Sequence, residues 1–287
     1  IVFPFIAIIK SKRNTCLYSR NRHTSFILSL LRVPHTYELH GITSKKIQNF
    51  MDNIILRSSK NKIVVISGVL KRDIEKKMNI NMSKIFVAHD GADELGDDLK
   101  PEELQGNFGT NFGYVGSLLP GKGVDFICIA AENLPDYGFH IIGGSDKEVL
   151  ELKNLYKECN NLHFYGYRPN SQIPGYIAAF DFALLPNKKQ VVTGNGEDIG
   201  KYTSPLKLFE YMAAGKSIIL SDIEVFNEIL DRKEAIYFQP DDVNDFIKKI
   251  KSAKKALLDS STLIEKVVVE FSWNVRAINI KRFCLNE

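Results

Sequence analysis

The chain alternates short, continuous apolar runs with longer stretches in which apolar residues recur at helical spacing. Apolar runs bounded by turn residues are typical of parallel strands that are covered on both faces. The sequence therefore predicts a doubly wound α/β fold. Ten strands are predicted, at residues 15–19, 35–39, 62–67, 85–88, 112–116, 138–142, 162–165, 181–185, 217–220 and 235–238. The predicted helices between them include 45–58, 124–133, 145–158, 204–214 and 243–256.

A break in this alternation predicts a domain boundary. Residues 93–111 are acidic and then rich in Gly and Asn, as in an interdomain linker. We predict a partial N-terminal Rossmann-like domain at 1–95, a linker at 96–111, a second domain at 112–270 and a C-terminal helix at 271–287. The first domain is expected to be truncated, because no opening strand with a Gly-rich turn is visible before its first predicted strand. The C-terminal helix either caps the second domain or crosses back to the first.

Composition narrows the class of protein. The 287 residues include 38 Lys and Arg against 34 Asp and Glu, and the basic residues are scattered rather than clustered. This distribution does not favour nucleic acid as a partner. The four cysteines are far apart and have no metal-ligand spacing, which indicates reduced thiols in the cytoplasm. The apolar run 1–9 is too short to span a bilayer and lacks the basic segment of a signal peptide, so we interpret it as a buried segment of an incomplete chain.

A Gly-rich turn at residues 116–123 follows a predicted strand and opens the predicted helix 124–133. Glycines allow close approach of the backbone to a ligand, and the N–H groups at a helix start suit phosphate. Lys122 would add a full positive charge. The alternative is an ordinary strand-to-helix turn with a solvated Lys. Gly143 and Gly144 form a second turn of this kind, with the same two interpretations.

The helix predicted at 204–214 has well-marked ends and a polar face. Ser204 is expected to be its N-cap and Gly215 its C-terminal glycine. Lys207 and Glu210 lie on one face, where they form either a solvated i,i+3 ion pair or part of a ligand site. In the second interpretation the helix N-terminus receives a phosphate and Glu210 accepts sugar hydroxyls.

Two polar segments lie at the carboxyl ends of predicted strands, where open α/β sheets bind ligands. Residues 187–202 form a long polar connection, which we interpret as a binding loop rather than disorder. His40 ends the strand 35–39. A lone His is more often structural than catalytic, but this position favours a functional role.

The order and spacing of these motifs resemble the donor-binding half of retaining glycosyltransferases of family four, which have the GT-B fold of two Rossmann-like domains facing a cleft. The segments that carry the resemblance are 113–116, 122–123, 139–144, 162–167, 173–176, 181–186 and 204–222, with 66–71 and 84–93 before the interdomain crossing. Asp90 stands where Asn is usual in that family. The strand that ends at His40 is similar to the one whose terminal His faces the donor sugar.

The resemblance implies roles for individual residues. Lys122 matches the Lys that contacts the donor diphosphate, and Ser117 stands where an Arg is often found. Glu210 matches the second Glu of the E-x7-E motif, which binds the ribose. Tyr202 stands in place of the first Glu, so Glu197, Asp198 or backbone amides near Thr203 are candidates for the sugar contacts. The implied catalytic residues are His40, Lys122 and Glu210, and the implied donor-binding residues are Gly116, Ser117, Gly143, Gly144, Thr203, Ser204, Lys207 and Glu210.

These features imply a metal-independent, retaining hexosyltransferase without a cofactor. Its donor would be a nucleotide sugar and its acceptor a glycan or a lipid-linked glycan in surface-polysaccharide or glycoconjugate synthesis. A lipid-linked acceptor is compatible with peripheral contact of the enzyme with the inner face of the membrane. The resemblance implies no particular oligomeric state. Two other hypotheses remain. One is a nucleotide-sugar epimerase or phosphorylase of the same fold, and the other is a non-catalytic GT-B module that binds a nucleotide sugar or a partner.

Overall fold

The computed structural model describes residues 16–78, 80–96, 99–192, 198, 200–202, 204–253 and 260–286. The chain divides into two compact units. The first consists of Ile1–Asp90, Tyr202–Ser204 and Trp273–Glu287, and the second of Gly91–Lys201 and Pro205–Ser272.

The first unit contains a four-stranded parallel sheet in the order β1-β2-β3-β4. Its strands are β1 (Tyr18–Ser19), β2 (Thr36–Leu39), β3 (Lys62–Val65) and β4 (Ile85–Val87). Its helices are α1 (Arg22–Leu30), α2 (Lys46–Arg57), α3 (Gly68–Lys77) and the final helix α11 (Trp273–Leu285), with a 3-10 turn at Met82–Lys84. The strand β3 is buried on both faces, as its continuous apolar run predicts.

The second unit contains a six-stranded parallel sheet in the order β10-β9-β8-β5-β6-β7. Its strands are β5 (Asn111–Val115), β6 (Gly138–Ile142), β7 (Leu162–Gly166), β8 (Phe182–Leu185), β9 (Ser217–Ser221) and β10 (Ile236–Phe238). Its helices are α4 (Val124–Asn133), α5 (Asp146–Leu155), α6 (Ile173–Ala179), α7 (Leu206–Ala213), α8 (Glu224–Asn227), α9 (Val243–Ser252) and α10 (Ser260–Lys266), followed by a π-helical turn at Val267–Phe271.

The core of the second unit is centred on β5. The ring of Phe112 stacks on those of Phe139 and Phe182, with ring centroids 5.5 Å and 5.1 Å apart. All three side chains are fully buried, and they come from β5, β6 and β8. Because one aromatic cluster links these three strands, it fixes the part of the sheet from which the candidate site is built.

The C-terminal tail forms two helices, α10 and α11, and the break before α11 lies at Ser272. Ala277 and Ile278 of α11 are exposed. At 100° per residue, Arg276, Ile280 and Phe283 share one face of α11, and Ile278 points away from it. Phe283 stacks on Phe86 of β4 with ring centroids 5.2 Å apart, within the first unit.

All ten predicted strands are present, and their parallel pairing confirms the α/β fold class. Nine lie close to their predicted bounds, whereas the first, predicted at 15–19, spans only Tyr18–Ser19, and residue 15 lies outside the described residues. No helix within the described residues is long and apolar enough to cross a bilayer.

Candidate functional site

The order of the second sheet reverses between β5 and β8, which pair side by side. From β5 the chain runs on towards β6 and β7 on one side, and from β8 it runs on towards β9 and β10 on the other. Loops that leave neighbouring strands in opposite directions open a crevice at the carboxyl edge of a sheet. The residues predicted to bind a donor in this unit lie in the loops at this edge and on α7.

The Gly-rich loop 116–123 packs backbone to backbone on the segment that follows β8. Gly121 and Gly123 have φ angles of 89° and 75°, which L side chains rarely adopt. A Cβ atom at Gly123 would overlap the carbonyl oxygen of Pro186, and one at Gly121 would overlap that of Gln190. The amide of Lys188 donates to the carbonyl of Gly121 over 2.8 Å. Glycine is therefore required here for the close approach of two loops as well as for the turn.

The loop after β6 joins the same surface. The amide of Gly116 donates to the carbonyl of Ile142 over 3.0 Å, and a Cβ atom at Gly143 would overlap the carbonyl oxygen of Gly116. Gly144 has a φ angle of 82° and packs against Leu118. The structure thus brings the predicted residues Gly116, Gly143 and Gly144 together in one backbone surface.

Lys122 is the cation of this surface. Burial lowers the pKa of its ammonium group. Within the described ranges, its Nζ has neither a hydrogen bond nor an ion pair. By contrast, Lys188 in the neighbouring loop pairs with Asp125 at 2.6 Å. A half-buried ammonium without an anion gains stabilisation when an anionic ligand binds.

The start of α7 differs from the prediction. The N-cap is Pro205, and no side chain among the described residues caps the helix. The prediction that Ser204 is the N-cap is wrong, because its Oγ accepts the amide of Asp90 over 3.0 Å within the first unit. Gly215 follows the C-cap Ala214 with a φ angle of 59°, so the predicted C-terminal glycine is confirmed.

The polar face of α7 carries the expected pair. Lys207 Nζ lies 2.6 Å and 2.9 Å from the two carboxylate oxygens of Glu210, and each side chain is about one-third exposed. The ion-pair interpretation of these residues is confirmed. Their contact with a ligand stays a prediction.

Tyr211 fixes α7 against the end of β5, and sequence reasoning missed it. Its side chain is completely buried, and its Oη accepts the amide of Val115 over 2.8 Å. This bond holds α7 beside the strand from which the Gly-rich loop starts. The available signal was a Tyr on an apolar helix face, because a buried phenol needs a hydrogen-bond partner.

The other residues predicted to contact the donor are Ser117, Glu197, Asp198 and Thr203. Ser117 is exposed, and its carbonyl accepts the hydroxyl of Tyr114 over 2.8 Å. Asp198 Oδ1 accepts the amides of Val191 and Gly200 over 3.0 Å and 2.8 Å. Glu197 and Thr203 lie outside the described residues.

His40 follows β2 of the first unit and is partly exposed. Its Nε2 lies 2.6 Å from Oε1 of Glu38, which is buried. Burial raises the pKa of Glu38, but the hydrogen bond from His40 and the charge of Arg276 outweigh this and lower it. Arg276 also lies 3.8 Å from Asp90 Oδ1, and burial raises the pKa of that carboxyl. Sequence reasoning missed Glu38 and Arg276 as partners of His40.

Tyr202 occupies the position of the first motif Glu and belongs to the first unit. Its hydroxyl donates to Asp73 Oδ2 over 2.6 Å, and its carbonyl accepts the Ser67 hydroxyl over 3.2 Å. The same hydroxyl of Ser67 caps α3 by accepting the amide of Leu70. Tyr202 is therefore held by α3 and its N-cap.

The sequence model for the family described as glycosyl transferases group 1 matches residues 109–255, about half of the chain. The chain belongs to this family. The matched range includes the Gly-rich loop, the turn after β6 and α7, which are the parts of the second unit described above.

A curated relative of this group 1 chain is a protein described as a putative teichuronic acid biosynthesis glycosyltransferase, TuaH, from Bacillus subtilis strain 168. The two are 26% identical over 194 residues, which cover 64% of this chain and 46% of the relative. The chain thus spans about half the length of the curated relative that it matches.

Two solved structures share the fold. The HepE protein of Anabaena in complex with UDP aligns with a TM-score of 0.75 at 14% identity, over 100% of this chain and 82% of HepE. A glycosyltransferase of Rickettsia africae aligns with a TM-score of 0.72 at 17% identity, over 99% of this chain and 80% of the other. These likenesses confirm the GT-B fold class with its two Rossmann-like sheets.

Proposed function

We propose that this chain is a glycosyltransferase that moves a hexosyl group from a nucleoside-diphosphate sugar to a glycan or lipid-linked acceptor, with retention of configuration. The observation that carries the proposal is Lys122. It is a half-buried cation without an anionic partner within the described residues, in a loop of close-packed glycines at the reversal point of a parallel sheet. Open α/β sheets bind nucleotides at this place.

The proposed chemistry needs positive charge at the leaving group. As the bond between the anomeric carbon and the diphosphate oxygen breaks, negative charge develops on the diphosphate. Lys122 and the uncapped N-terminus of α7 supply fixed positive groups for it. The acceptor oxygen then bonds to the same carbon, and its proton goes to the departing diphosphate. We propose that these groups act without a metal ion or another cofactor.

Glu210 is proposed to accept the hydroxyls of the donor ribose. Its carboxylate is held by Lys207 on the same helix face, and Tyr211 fixes that helix beside β5. Because Lys207 Nζ contacts both carboxylate oxygens, it orients the Glu210 side chain. Asp198 and Glu197 remain candidates for contacts to the sugar.

The retaining course, the acceptor class and the role of His40 at the transferred sugar rest on the family resemblance. The curated relative is described as a teichuronic acid biosynthesis protein, and HepE has been solved with UDP and with UDP-glucose. The description of the curated relative supports polysaccharide synthesis as the setting to test first. A location in the cytoplasm, at or near the inner face of the membrane, is proposed from the family resemblance.

The proposal is tested with a panel of UDP-, GDP-, ADP- and CMP-sugars. Thermal shift identifies which sugars bind, and hydrolysis and transfer assays then measure turnover. We expect binding and turnover with at least one diphosphate sugar, and no binding of the CMP-sugars, which carry a single phosphate. The anomeric configuration of the product, followed by NMR, tests retention. Activity in the presence of EDTA tests independence of metal.

Three results would contradict the proposal. Binding without hydrolysis or transfer would favour a non-catalytic module. Conversion of the donor into an isomeric nucleotide sugar without an acceptor would favour an epimerase, and dependence of sugar release on inorganic phosphate would favour a phosphorylase.

A further inference from the structure

The first unit contains a group of charged side chains that the proposed reaction does not yet use. Glu38 of β2, His40 just after it, Asp90 and Arg276 of α11 lie together. The Glu38 and Arg276 side chains are 7% and 13% exposed, whereas that of His40 is 29% exposed. The imidazole is thus the most accessible member of a mostly buried charged group.

We propose that Glu38 and Arg276 are positioning residues that fix the tautomer and orientation of the His40 ring. The inference rests on the proposed function, in which His40 contacts the transferred sugar. The two residues would act on the reaction only through His40.

The contacts of Glu38 determine which ring nitrogen of His40 carries a proton. Glu38 Oε2 accepts the hydroxyl of Tyr18, and Oε1 lies 2.6 Å from His40 Nε2. An ionised carboxylate only accepts hydrogen bonds, so Nε2 must carry the proton. When the ring is neutral, Nδ1 then presents its lone pair. In the part of the chain that the structure describes, no partner is found for Nδ1, so this nitrogen is available to a hydroxyl of a ligand.

The guanidinium of Arg276 compensates the negative charge of Glu38. Arg276 Nη2 lies 3.2 Å from Glu38 Oε1 and 3.8 Å from Asp90 Oδ1, as an ion pair without an aligned hydrogen bond. Its Nε donates to the carbonyl of His89 over 2.9 Å, which anchors the guanidinium. A buried carboxylate keeps its charge only when a cation compensates it. Arg276 therefore keeps Glu38 a pure acceptor, and Glu38 in turn selects the tautomer of His40.

Attachment of α11 to the rest of the first unit does not by itself account for the charged cluster. A buried ion cluster costs desolvation, and apolar side chains of the same volume would hold α11 at least as firmly. Phe283 already packs α11 onto β4 through its ring contact with Phe86. The charged cluster is best explained by the partly exposed imidazole that it orients.

The test compares ¹⁵N-labelled wild type with Glu38→Gln, Arg276→Met and Arg276→Lys. Long-range ¹⁵N–¹H correlations report the tautomer of His40, and loss of its signals in His40→Asn assigns them. We expect the Nε2–H tautomer in the wild type and in Arg276→Lys. We expect a mixture in Glu38→Gln, because an amide can either donate to Nε2 or accept from it, and a mixture in Arg276→Met.

Kinetics provide the second readout. Glu38→Gln and Arg276→Met should lower kcat by between about 10- and 100-fold with little change in the KM for the donor, and Arg276→Lys should restore most of the loss. Arg282→Met is the matched control, because Arg282 lies on the same helix but is exposed. Circular dichroism and Tm show what part of any loss reflects misfolding.

Two results would overturn the inference. One is an unchanged His40 tautomer in folded Glu38→Gln. The other is a loss of kcat no larger than the loss of folded protein. The NMR measurement needs no turnover, so it tests whether Glu38 sets the tautomer of His40 even in a protein that transfers no sugar. Absence of transfer by the wild type would contradict the proposed function instead.

Discussion

The carboxyl edges of the two parallel sheets are built in different ways. In the second unit the edge is made of backbone, with glycines of loop 116–123 packed against the segment after β8, and its cation Lys122 has no anion within the described residues. In the first unit the edge at His40 is made of side chains whose charges compensate one another, with Glu38 and Arg276 below the imidazole. One edge is thus suited to receive an anion, and the other to hold an imidazole in one orientation.

The largest expected effect is on transfer activity, from replacement of Lys122, whose ammonium has no anionic partner within the described residues. Lys122→Ala should lower kcat/KM for transfer by about 100-fold or more, because one preorganised charge contact to a leaving group is lost. The matched control is Lys188→Ala in the neighbouring loop, where the ammonium already pairs with Asp125. Steady-state transfer assays measure both. An equal loss of kcat/KM in the two variants would contradict a special role for the unpaired ammonium of Lys122 compared with the paired ammonium of Lys188.

The next effect tests the backbone construction of the same edge. Gly123→Ala should destabilise the protein by about 2 kcal/mol or more, because a Cβ atom would overlap Pro186 and the φ angle of 75° is unfavourable for Ala. Gly109→Ala is the control, since Gly109 has no atom within 4 Å of its Cβ position. Urea unfolding measures both variants. A neutral Gly123→Ala would contradict the close packing of the two loops.

Tyr211→Phe tests the bond that holds α7 at this edge. The variant leaves the buried amide of Val115 without its partner, and we expect a loss of about 1–3 kcal/mol in the free energy of unfolding. Donor affinity should fall as well, because Glu210 lies on the same helix. Tyr167→Phe, at an exposed tyrosine, should change neither quantity. An unchanged stability in Tyr211→Phe would show that the phenol does not fix the helix.

The smallest expected effect is on the pH dependence of stability and comes from His140 in the second sheet. Burial, with a contribution from His163, lowers the pKa of His140 on β6 to about 3. Below the unfolded pKa of about 6.5, the unfolded state binds a proton that the native state does not, so stability falls by up to about 1.4 kcal/mol per pH unit as the pH is lowered. His140→Gln should reduce this slope between pH 6.5 and 5, and replacement of the exposed His23 should not. An unchanged slope in His140→Gln would contradict a neutral His140 in the native state.

The sequence predicts the sheets well for a physical reason. Parallel strands covered on both faces leave continuous apolar runs, and all ten of these runs form strands. The helix α4 has its predicted bounds, 124–133, because a glycine turn and an apolar core face mark it. In the candidate site, the pairing of Lys207 with Glu210 could also be predicted, since it depends on residues near each other in the sequence. The role of Lys122 stays a prediction.

The failures arise where a distant residue competes with a local rule. Ser204 has the side chain of an N-cap, but its hydroxyl is taken by the amide of Asp90. Arg276 looks like a solvated residue on an amphipathic helix, yet it is buried against Glu38, which is remote in the sequence. Likewise, the glycines of loop 116–123 indicate a turn, but not the partner loop against which they pack. Such contacts become visible only when tertiary structure brings the partners together.

Binding of a diphosphate at the edge that carries Lys122 is the property on which the proposed function depends. The most direct measurement is calorimetric titration of wild type, Lys122→Ala and Lys188→Ala with the nucleoside diphosphate of the donor and with the nucleoside alone. The account predicts that Lys122→Ala weakens diphosphate binding by about 10-fold or more, because a charged hydrogen bond is lost, while nucleoside binding in all three proteins stays the same. An unchanged diphosphate affinity in Lys122→Ala, or an equal loss for the diphosphate and the nucleoside, would contradict it.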